Sequence, residues 1–415
     1  MNECTIESRE CMNEIASRSI QVTLKALSIL LDWSEPELHV GEGTFKQLPR
    51  ILKEKQLKKV LIVTDKGIIK AGLLEIFIEN LEEQGISYRI FDGIEPNPII
   101  EMSEEIAIHF NSMHADALVA VGGGSVLDAT KAAGIVITQP EKPLSEFRGL
   151  LKVWKKTPYT VTVPTTAGTG SEGTIAAVLS SSTGKEKYAI MDNVLTPDIA
   201  VLDPDLTKTL PKSLIAGPGM DTLTHAVEAY IGRSNTGETR EYAKRTVKLI
   251  SENLKNVYDG EADSKARENL LLASYYGGRA FTRAYVGYVH AISHALSAYY
   301  NLPHGQTNAT VLPHVLRLYG DNVADALAEL AFEAGIANAE APASENAQCF
   351  IRWIDAMNQS MGIQKHIPEI KEEDLAGLTE HAVREAHPLY PVPVLFTHAE
   401  MKEAYQIVKG EKHDK

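Results

Sequence analysis

The chain has 415 residues, more than one hydrophobic core usually serves, so its length predicts two domains. With 44% hydrophobic and 23% charged residues, the composition is that of an ordinary folded globular protein. A formal net charge of −14, with no dense Lys/Arg run, argues against a nucleic-acid partner.

The first 34 residues form a predicted helical extension. Their acidic residues precede the apolar part, which differs from the basic start of an export signal. No apolar run in the chain approaches the roughly 20 residues needed to span a bilayer. Three cysteines, an odd number, favour a reducing cytoplasm over a disulfide framework. Helical periodicity over residues 19–33 predicts a helix that packs on its own chain or on a neighbouring subunit; its apolar positions are Ile20, Leu24, Leu27, Leu30 and Leu31.

From about Leu57, strand-like and helical stretches alternate. Residues 58–65, 86–93 and 117–125 are typical of buried strands, whereas residues 72–85 and 102–116 have helical periodicity. This order predicts an α/β nucleotide-binding domain, Rossmann-like, with a parallel sheet covered by helices on both faces. After Asp203 the pattern is almost entirely helical. We therefore expect an N-terminal domain over residues 35–204 and an all-helical domain over residues 205–415, with the boundary near residues 203–211.

A run of three glycines, Gly122 to Gly124, and Ser125 lies between a predicted strand and a predicted helix. Glycines let the backbone approach a pyrophosphate, and the helix that follows offers unpaired N–H groups. A tight turn without a ligand is an equally ordinary explanation. The spacing is also not that of the GxGxxG fingerprint.

Two further features support a nucleotide at this sheet. Asp65 ends a strand, where a carboxylate can bind a ribose diol and repel a 2′-phosphate, which favours NAD over NADP. The loop at residues 164–172 offers Thr165, Thr166 and Thr169 after another strand. Turn formation by Asp65 and helix capping by the loop are the alternatives.

Histidines cluster in the second half of the chain. Asp221 and His225 are four residues apart in a helical stretch, so both side chains leave one face. His290, His294 and His304 follow within 15 residues. A carboxylate with imidazoles suits a divalent ion such as iron or zinc. Spacing leaves open which two of the three later histidines join Asp221 and His225.

Four motifs in one register resemble the iron-containing (group III) alcohol dehydrogenases, a family that shares its fold with dehydroquinate synthase. They are GGGSVLDATKA, VPTTAGTGSE, LDPDLTKTLPKSLIAGPGMDTLTHAVEAY and GYVHAISHALSAYYNLPHGQ. The resemblance starts near Leu38, so residues 1–34 extend beyond it. It implies a nucleotide-binding α/β domain, an all-helical metal domain and an active site in the cleft between them.

The resemblance also implies roles for individual residues. It places Asp221, His225, His290 and His304 on Fe²⁺ or Zn²⁺ and leaves His294 unligated, as a proton relay. It places Asp128 near the nicotinamide and, together with the loop composition, implies that the cofactor contacts are Asp65, Asn97, Gly123, Gly124, Ser125, Asp128, Thr165, Thr166, Thr169, Val178 and Lys187.

The expected function is therefore a metal-dependent, NAD-linked alcohol dehydrogenase acting on a small primary alcohol or diol and its aldehyde. Hydroxyacid-oxoacid transhydrogenation and a glycerol dehydrogenase-like activity at the same site are alternatives. A non-enzymatic assembly protein that binds nucleotide and metal is a more distant one. Residues 281–290 depart from the residues that many relatives have there, which puts the substrate in doubt. Family likeness implies a homodimer or an assembly of dimers, without a membrane partner.

Overall fold

The computed structural model describes residues 14–23, 25–26, 33–181 and 187–412, apart from the side chain of residue 187. The chain forms two compact units. We name residues 32–214 with 260–278 the sheet unit, and residues 1–31, 215–259 and 279–415 the helical unit. The predicted domain boundary at residue 204 stays a prediction.

The sheet unit is built around six parallel strands. Their order in space is β1-β9-β6-β4-β2-β3. A second, three-stranded sheet has the order β5-β8-β7, in which β7 and β8 are antiparallel. The strands are β1 Glu37–Val40, β2 Lys59–Val63, β3 Ser87–Phe91, β4 Ala117–Gly122, β5 Gly149–Leu150, β6 Tyr159–Pro164, β7 Ala176–Ser180, β8 Lys187–Met191 and β9 Ile199–Leu202.

Helices cover both faces of the six-stranded sheet. Val60 and Ile62 of β2 belong to one apolar cluster, and Leu61 and Val63 belong to another. Since successive strand residues point to opposite faces, the sheet has two buried faces, which explains its continuous apolar strands. The α-helices that lie wholly in this unit, among the described residues, are α2 Thr44–Glu54, α3 Lys66–Lys70, α4 Glu75–Gln84, α5 Ile100–Met113 and α6 Gly124–Thr138.

The helical unit contains the rest of the chain's helices. α1 comprises the helical residues 14–23, 25 and 26. The first residues of α7, and α9 up to Gly278, belong to the sheet unit. The later helices are α7 Ser213–Ile231, α8 Gly237–Asp259, α9 Ser264–Ala284, α10 Tyr288–Tyr300, α11 His304–Tyr319, α12 Ala324–Glu333, α13 Ala343–Ser360, α14 Leu375–Ala386 and α15 His398–Lys409.

The predicted fold class is confirmed: a parallel α/β part precedes a helical part. The β7–β8 pair and the placement of residues 260–278 with the sheet were not predicted. The N-terminal helix starts by residue 14, earlier than predicted, and four of its expected apolar positions lie outside the described residues: Leu24, Leu27, Leu30 and Leu31. Within the described part of the chain, no helix is both long and apolar enough to cross a membrane.

Candidate metal centre and cofactor site

A contact between two backbones brings the start of α11 beside α7. A Cβ on Gly305 would lie 2.6 Å from the carbonyl oxygen of Gly217, so neither helix can come this close with larger residues there. Gly217 precedes Asp221 by one helical turn, and His304 is the first residue of α11. The two glycines therefore place His304 beside Asp221.

Three imidazoles converge on one carboxylate oxygen. Asp221 Oδ1 lies 3.7 Å from His304 Nε2, 3.8 Å from His290 Nε2 and 4.0 Å from His225 Nε2. Metal–ligand bonds of about 2.1 Å allow two ligands of one ion to be at most about 4.2 Å apart. All three distances satisfy this limit. Donor atoms of Asp221, His290 and His304 all lie within 4.8 Å of one another.

His225 lies at the side of this group, between two rings. Its ring stacks on Phe281 at 4.4 Å and on His290 at 4.7 Å between centroids. Burial lowers the pKa of both histidines to about 4, so both are neutral near pH 7. A neutral imidazole offers the lone pair that a metal requires.

Polar atoms in the centre fit a bound cation. His290 Nε2, the nitrogen that faces Asp221, is buried without a hydrogen-bond partner among the described residues. Burying such an atom costs free energy that a metal bond would offset. The Asn308 amide donates to Asp221 Oδ1 at 2.6 Å and lies 3.1 Å from His304 Nε2, so both acceptors face one point. The donor set fits a divalent metal.

Glu228, which the sequence analysis missed, fixes the His290 ring. Its carboxylate lies 2.6 Å from His290 Nδ1 and accepts from the N–H groups of Gly287 at 2.8 Å and Val289 at 2.7 Å. With the proton on Nδ1, the Nε2 lone pair points toward Asp221. Glu228 is three residues after His225 on α7, a spacing that could have identified it.

His294 has a different environment from the other histidines. Its Nδ1 lies 2.6 Å from Glu385 Oε1, which also accepts from the Tyr390 hydroxyl at 2.9 Å. Its ring stacks on His304 at 5.0 Å between centroids. The side chain is 19% exposed, compared with 3% for His290. His294 is thus oriented by a carboxylate and partly open to solvent.

In the sheet unit, the two glycine- and threonine-rich loops lie against each other. They follow β4 and β6, which are neighbours in the sheet. A Cβ on Gly124 would lie 2.8 Å from Thr169 Oγ1, and one on Gly123 would lie 3.4 Å from Thr166 Oγ1. Thr165 is buried, while Ser125, Thr166 and Thr169 are partly exposed. We name the first turn of α6 together with this pair of loops the cradle; a helix N-terminus with free N–H groups suits a phosphate.

Asp128 joins α6 to the segment that follows the second loop. Its carboxylate accepts from the Ser171 hydroxyl at 2.6 Å and from the Val178 N–H at 3.1 Å. The structure therefore brings together Asp128 and Val178, two of the predicted cofactor residues. Both carboxylate oxygens of Asp128 are engaged in these bonds.

A buried lysine beneath this segment was also missed. Lys131 Nζ donates to the carbonyl oxygens of Thr174 at 2.9 Å and Ala176 at 3.0 Å, and also to that of Ser171. Burial lowers the pKa of Lys131 to about 8 and raises the pKa of Glu172 to about 7. Lys131 follows Asp128 by three residues on α6, and its ammonium group binds carbonyl groups of the same segment.

The other predicted cofactor residues lie at the ends of strands. Asp65 Oδ1 accepts from the N–H groups of Gly67 at 2.7 Å and Ile68 at 3.1 Å, and so caps α3. Asn97 is exposed, with a left-handed φ of 58°. The backbone of Lys187 pairs with Ser180, and its side chain lies outside the described residues.

Comparison with known proteins adds a family match over both halves of the chain. Residues 36–204 match the description "Iron-containing alcohol dehydrogenase". Residues 215–408 match "Fe-containing alcohol dehydrogenase family, C-terminal".

Relatives and solved structures agree with this match. The chain is 34% identical to alcohol dehydrogenase 4 of Schizosaccharomyces pombe over 374 residues, which is 88% of this chain and 86% of that protein. It is 37% identical to an NAD-dependent methanol dehydrogenase of Bacillus methanolicus over 353 residues, which is 84% of this chain and 91% of that protein. A crystal structure of a 1,3-propanediol oxidoreductase superposes with a TM-score of 0.87 at 33% identity, covering 91% of this chain and 99% of that one.

Proposed function

Because this chain belongs to the iron-containing alcohol dehydrogenase family, we propose that it interconverts a small primary alcohol or diol and its aldehyde, with NAD as hydride carrier. The enzyme class, a metal-dependent and nicotinamide-linked alcohol oxidoreductase, follows from the family. The narrower substrate class rests on relatives named for methanol and 1,3-propanediol. The convergence of three imidazoles on Asp221 Oδ1 is the observation that carries the proposal.

We assign the metal to Asp221, His225, His290 and His304. The three distances from Asp221 Oδ1 support all four, and the buried Nε2 without a partner supports His290 in particular. Ligand type alone suits iron and zinc alike. We propose Fe²⁺ on family grounds, and metal analysis is required to distinguish the two ions.

When bound, the metal supplies positive charge at the substrate oxygen, and the nicotinamide exchanges hydride with the substrate carbon. The chain's own part is positioning and proton transfer. Glu228 keeps His290 in the tautomer whose Nε2 lone pair faces Asp221. We assign to His294, whose Nδ1 faces Glu385, the uptake at Nε2 of the proton that the alcohol loses.

We assign cofactor binding to the cradle of the sheet unit and to the predicted cofactor residues outside it. Gly123, Gly124 and Ser125 supply backbone N–H groups, and Thr166 and Thr169 supply hydroxyls. Asp65 favours NAD over NADP: Oδ1 caps α3, and Oδ2 has no hydrogen bond among the described residues. We retain Asp128 beside the nicotinamide, as the residue that positions Val178 rather than as a free carboxylate. Asn97, Thr165 and Lys187 stay in the proposed set.

Assembly and location are inferences from family and composition. We infer a homodimer or an assembly of dimers in the cytoplasm. Light scattering of the purified protein and fractionation of cells that produce it would test the two statements separately.

The decisive experiment couples metal analysis to turnover. Protein purified without oxygen is analysed for iron and zinc, then assayed for NAD and NADP reduction with primary alcohols, 1,2-diols and 1,3-diols before and after chelation. We expect about one metal ion per chain, loss of activity on chelation, and recovery with Fe(II). Activity that persists without metal would refute the mechanism.

Two variants separate the assigned roles. His225→Ala should lose metal and activity together. His294→Ala should retain the metal and turn over about 10²-fold to 10⁴-fold more slowly, the usual contribution of a proton-transfer group. If His225→Ala binds metal as tightly as the unmodified protein, the ligand assignment is wrong.

A further inference from the structure

Helix α1 is docked on the body of the helical unit through backbone carbonyl groups. Arg18 donates from Nη1 to Val392 O at 2.7 Å and from Nη2 to Pro393 O at 3.1 Å. Nη1 also donates to Gln21 Oε1 at 3.0 Å. A guanidinium holds two acceptors at a fixed spacing, because its donors form a rigid planar fork. Arg18 therefore constrains the backbone at two consecutive residues.

Gln21 extends the same attachment by one helical turn. Its Nε2 donates to Tyr390 O at 2.8 Å and to Pro388 O at 3.2 Å. Its side chain is buried, with the residue 4% exposed. We name residues 388–393 the clamped segment, since Arg18 and Gln21 together bind four of its carbonyl groups.

The two residues lie on one face of α1. Positions 18 and 21 are three apart, and Lys25, one turn further, donates to Arg233 O at 2.9 Å. Ile15 and Val22, the apolar residues that border this face, are 63% and 68% exposed. The polar face of α1, rather than its apolar residues, makes these contacts.

The clamped segment is connected to the candidate active site by hydrogen bonds. The carbonyl oxygen of Tyr390 accepts a hydrogen bond from Gln21 Nε2, and the hydroxyl of Tyr390 donates to Glu385 Oε1 at 2.9 Å. The same Glu385 oxygen lies 2.6 Å from His294 Nδ1. One chain of hydrogen bonds thus runs from Gln21 through Tyr390 and Glu385 to His294.

We propose that Arg18 and Gln21 are positioning residues for the reaction, which act through the clamped segment on Glu385 and so on His294. This inference rests on the proposed role of His294 as proton relay. Both residues precede residues 36–204, where the family match begins, so they are an addition of this chain to the matched region. Displacement of the Tyr390 backbone moves the hydroxyl that holds Glu385, and the His294 ring loses its fixed orientation.

The test compares Gln21→Ala, Arg18→Met and the double variant with Val22→Ala, an exposed control on the same helix. Measurements are kcat, KM for alcohol and for NAD, metal content, and hydrogen exchange of residues 386–393. We expect kcat to fall about 10-fold in the double variant, less than the roughly 10²-fold that a misplacement near 1 Å can cost. Metal content and KM for NAD should stay the same, and the amides of Tyr390 and Val392 should exchange faster.

A double-mutant cycle distinguishes positioning from general destabilisation. Tyr390→Phe removes the hydroxyl that reaches Glu385, so Gln21→Ala should slow turnover much less in that background than in the unmodified protein. Arg18→Lys, which keeps the positive charge but has a single donor nitrogen instead of a fork, should recover part of the lost turnover. If the double variant does not fold, Gln21→Ala with Tyr390→Phe carries the same test.

Failure of this inference and failure of the proposed function give different results. If His294→Ala slows turnover but the Arg18 and Gln21 variants keep full kcat, the positioning role is overturned and the relay stands. If His294→Ala itself keeps full turnover, the relay and the positioning role both fall. Equal losses of kcat from Gln21→Ala with and without the Tyr390 hydroxyl would also overturn the positioning role.

Discussion

Replacing Glu228 by glutamine should weaken metal binding without altering the size of the side chain. The carboxylate faces three donors: His290 Nδ1, Gly287 N and Val289 N. An amide has one oxygen, and its NH₂ group cannot accept a hydrogen bond. In either orientation at least one buried N–H group faces another donor, and His290 loses the negative charge that holds its proton on Nδ1.

The magnitude follows from the bonds that are lost. One buried charge-assisted hydrogen bond is worth about 1.5–3 kcal/mol. Loss of an outer partner of a ligating histidine typically costs about 10-fold to 100-fold in metal affinity, or roughly 1.4–2.7 kcal/mol. Because the two ranges coincide, we expect the metal dissociation constant of Glu228→Gln to rise by about 10-fold to 100-fold.

Competition titration against a chelator of known affinity, without oxygen, measures this constant. Glu329→Gln is the matched control, since that carboxylate is 46% exposed and binds Arg240 instead of a proposed ligand. Activity of Glu228→Gln at saturating metal should recover substantially. A dissociation constant within about twofold of that of the control would refute the orienting role of Glu228.

Two further predictions concern the sheet unit. Gly124→Ala should raise the dissociation constant of NAD about 10-fold or more in calorimetric titration, because its Cβ would lie 2.8 Å from Thr169 Oγ1 and push the two loops apart. Gly237→Ala is the control, since a Cβ at that position would have no atom within 4 Å. Unchanged affinity of Gly124→Ala for NAD would contradict the proposed role of the cradle. Burial raises the pKa of Glu172 from 4.5 to about 7. Between these two values the folded state keeps a proton that the unfolded state releases. The free energy of unfolding should therefore fall by about 3 kcal/mol as pH rises from about 4.5 to about 7. Glu172→Gln should remove this decrease in urea unfolding of the metal-free protein, and an unaltered pH slope would show that Glu172 is not its source.

The parallel sheet was predictable because each of its strands can be identified from its own residues. The runs VLIV of β2, after its exposed first residue Lys59, and ALVAVG of β4 are apolar without interruption, as expected of strands buried on both faces. The β7–β8 pair is different, since its antiparallel pairing depends on partners rather than on composition alone. Residues 260–278 have the helical period of α9, and period does not tell which unit a helix packs with.

The metal centre was partly predictable for the same reason. Asp221 and His225 share a helix face by spacing alone, whereas the choice among His290, His294 and His304 required the family resemblance. Three-dimensional structure then separates His294 by its bond to Glu385. Glu385 is 91 positions further along the chain, and no periodic signal connects such distant residues.

The cofactor residues show the limit of reasoning from single positions. Asp128 was expected near the nicotinamide, but nothing in its own sequence surroundings indicated that Ser171 and Val178 would engage both carboxylate oxygens. Lys131 was missed because a lysine on a helix is ordinarily solvated, and only the folded chain shows it buried under backbone carbonyls.

The contact between Gly217 and Gly305 limits how this metal centre can be altered. A backbone oxygen of one helix meets the other helix where a side chain would stand, so no rotamer change can relax the contact. The distance from Asp221 to His304 is therefore set by two segments of backbone, and the side chains at the four proposed donor positions can be replaced without disturbing it. Engineering toward another metal should vary the proposed donors and keep both glycines, because substitution of either one would move His304 away from Asp221.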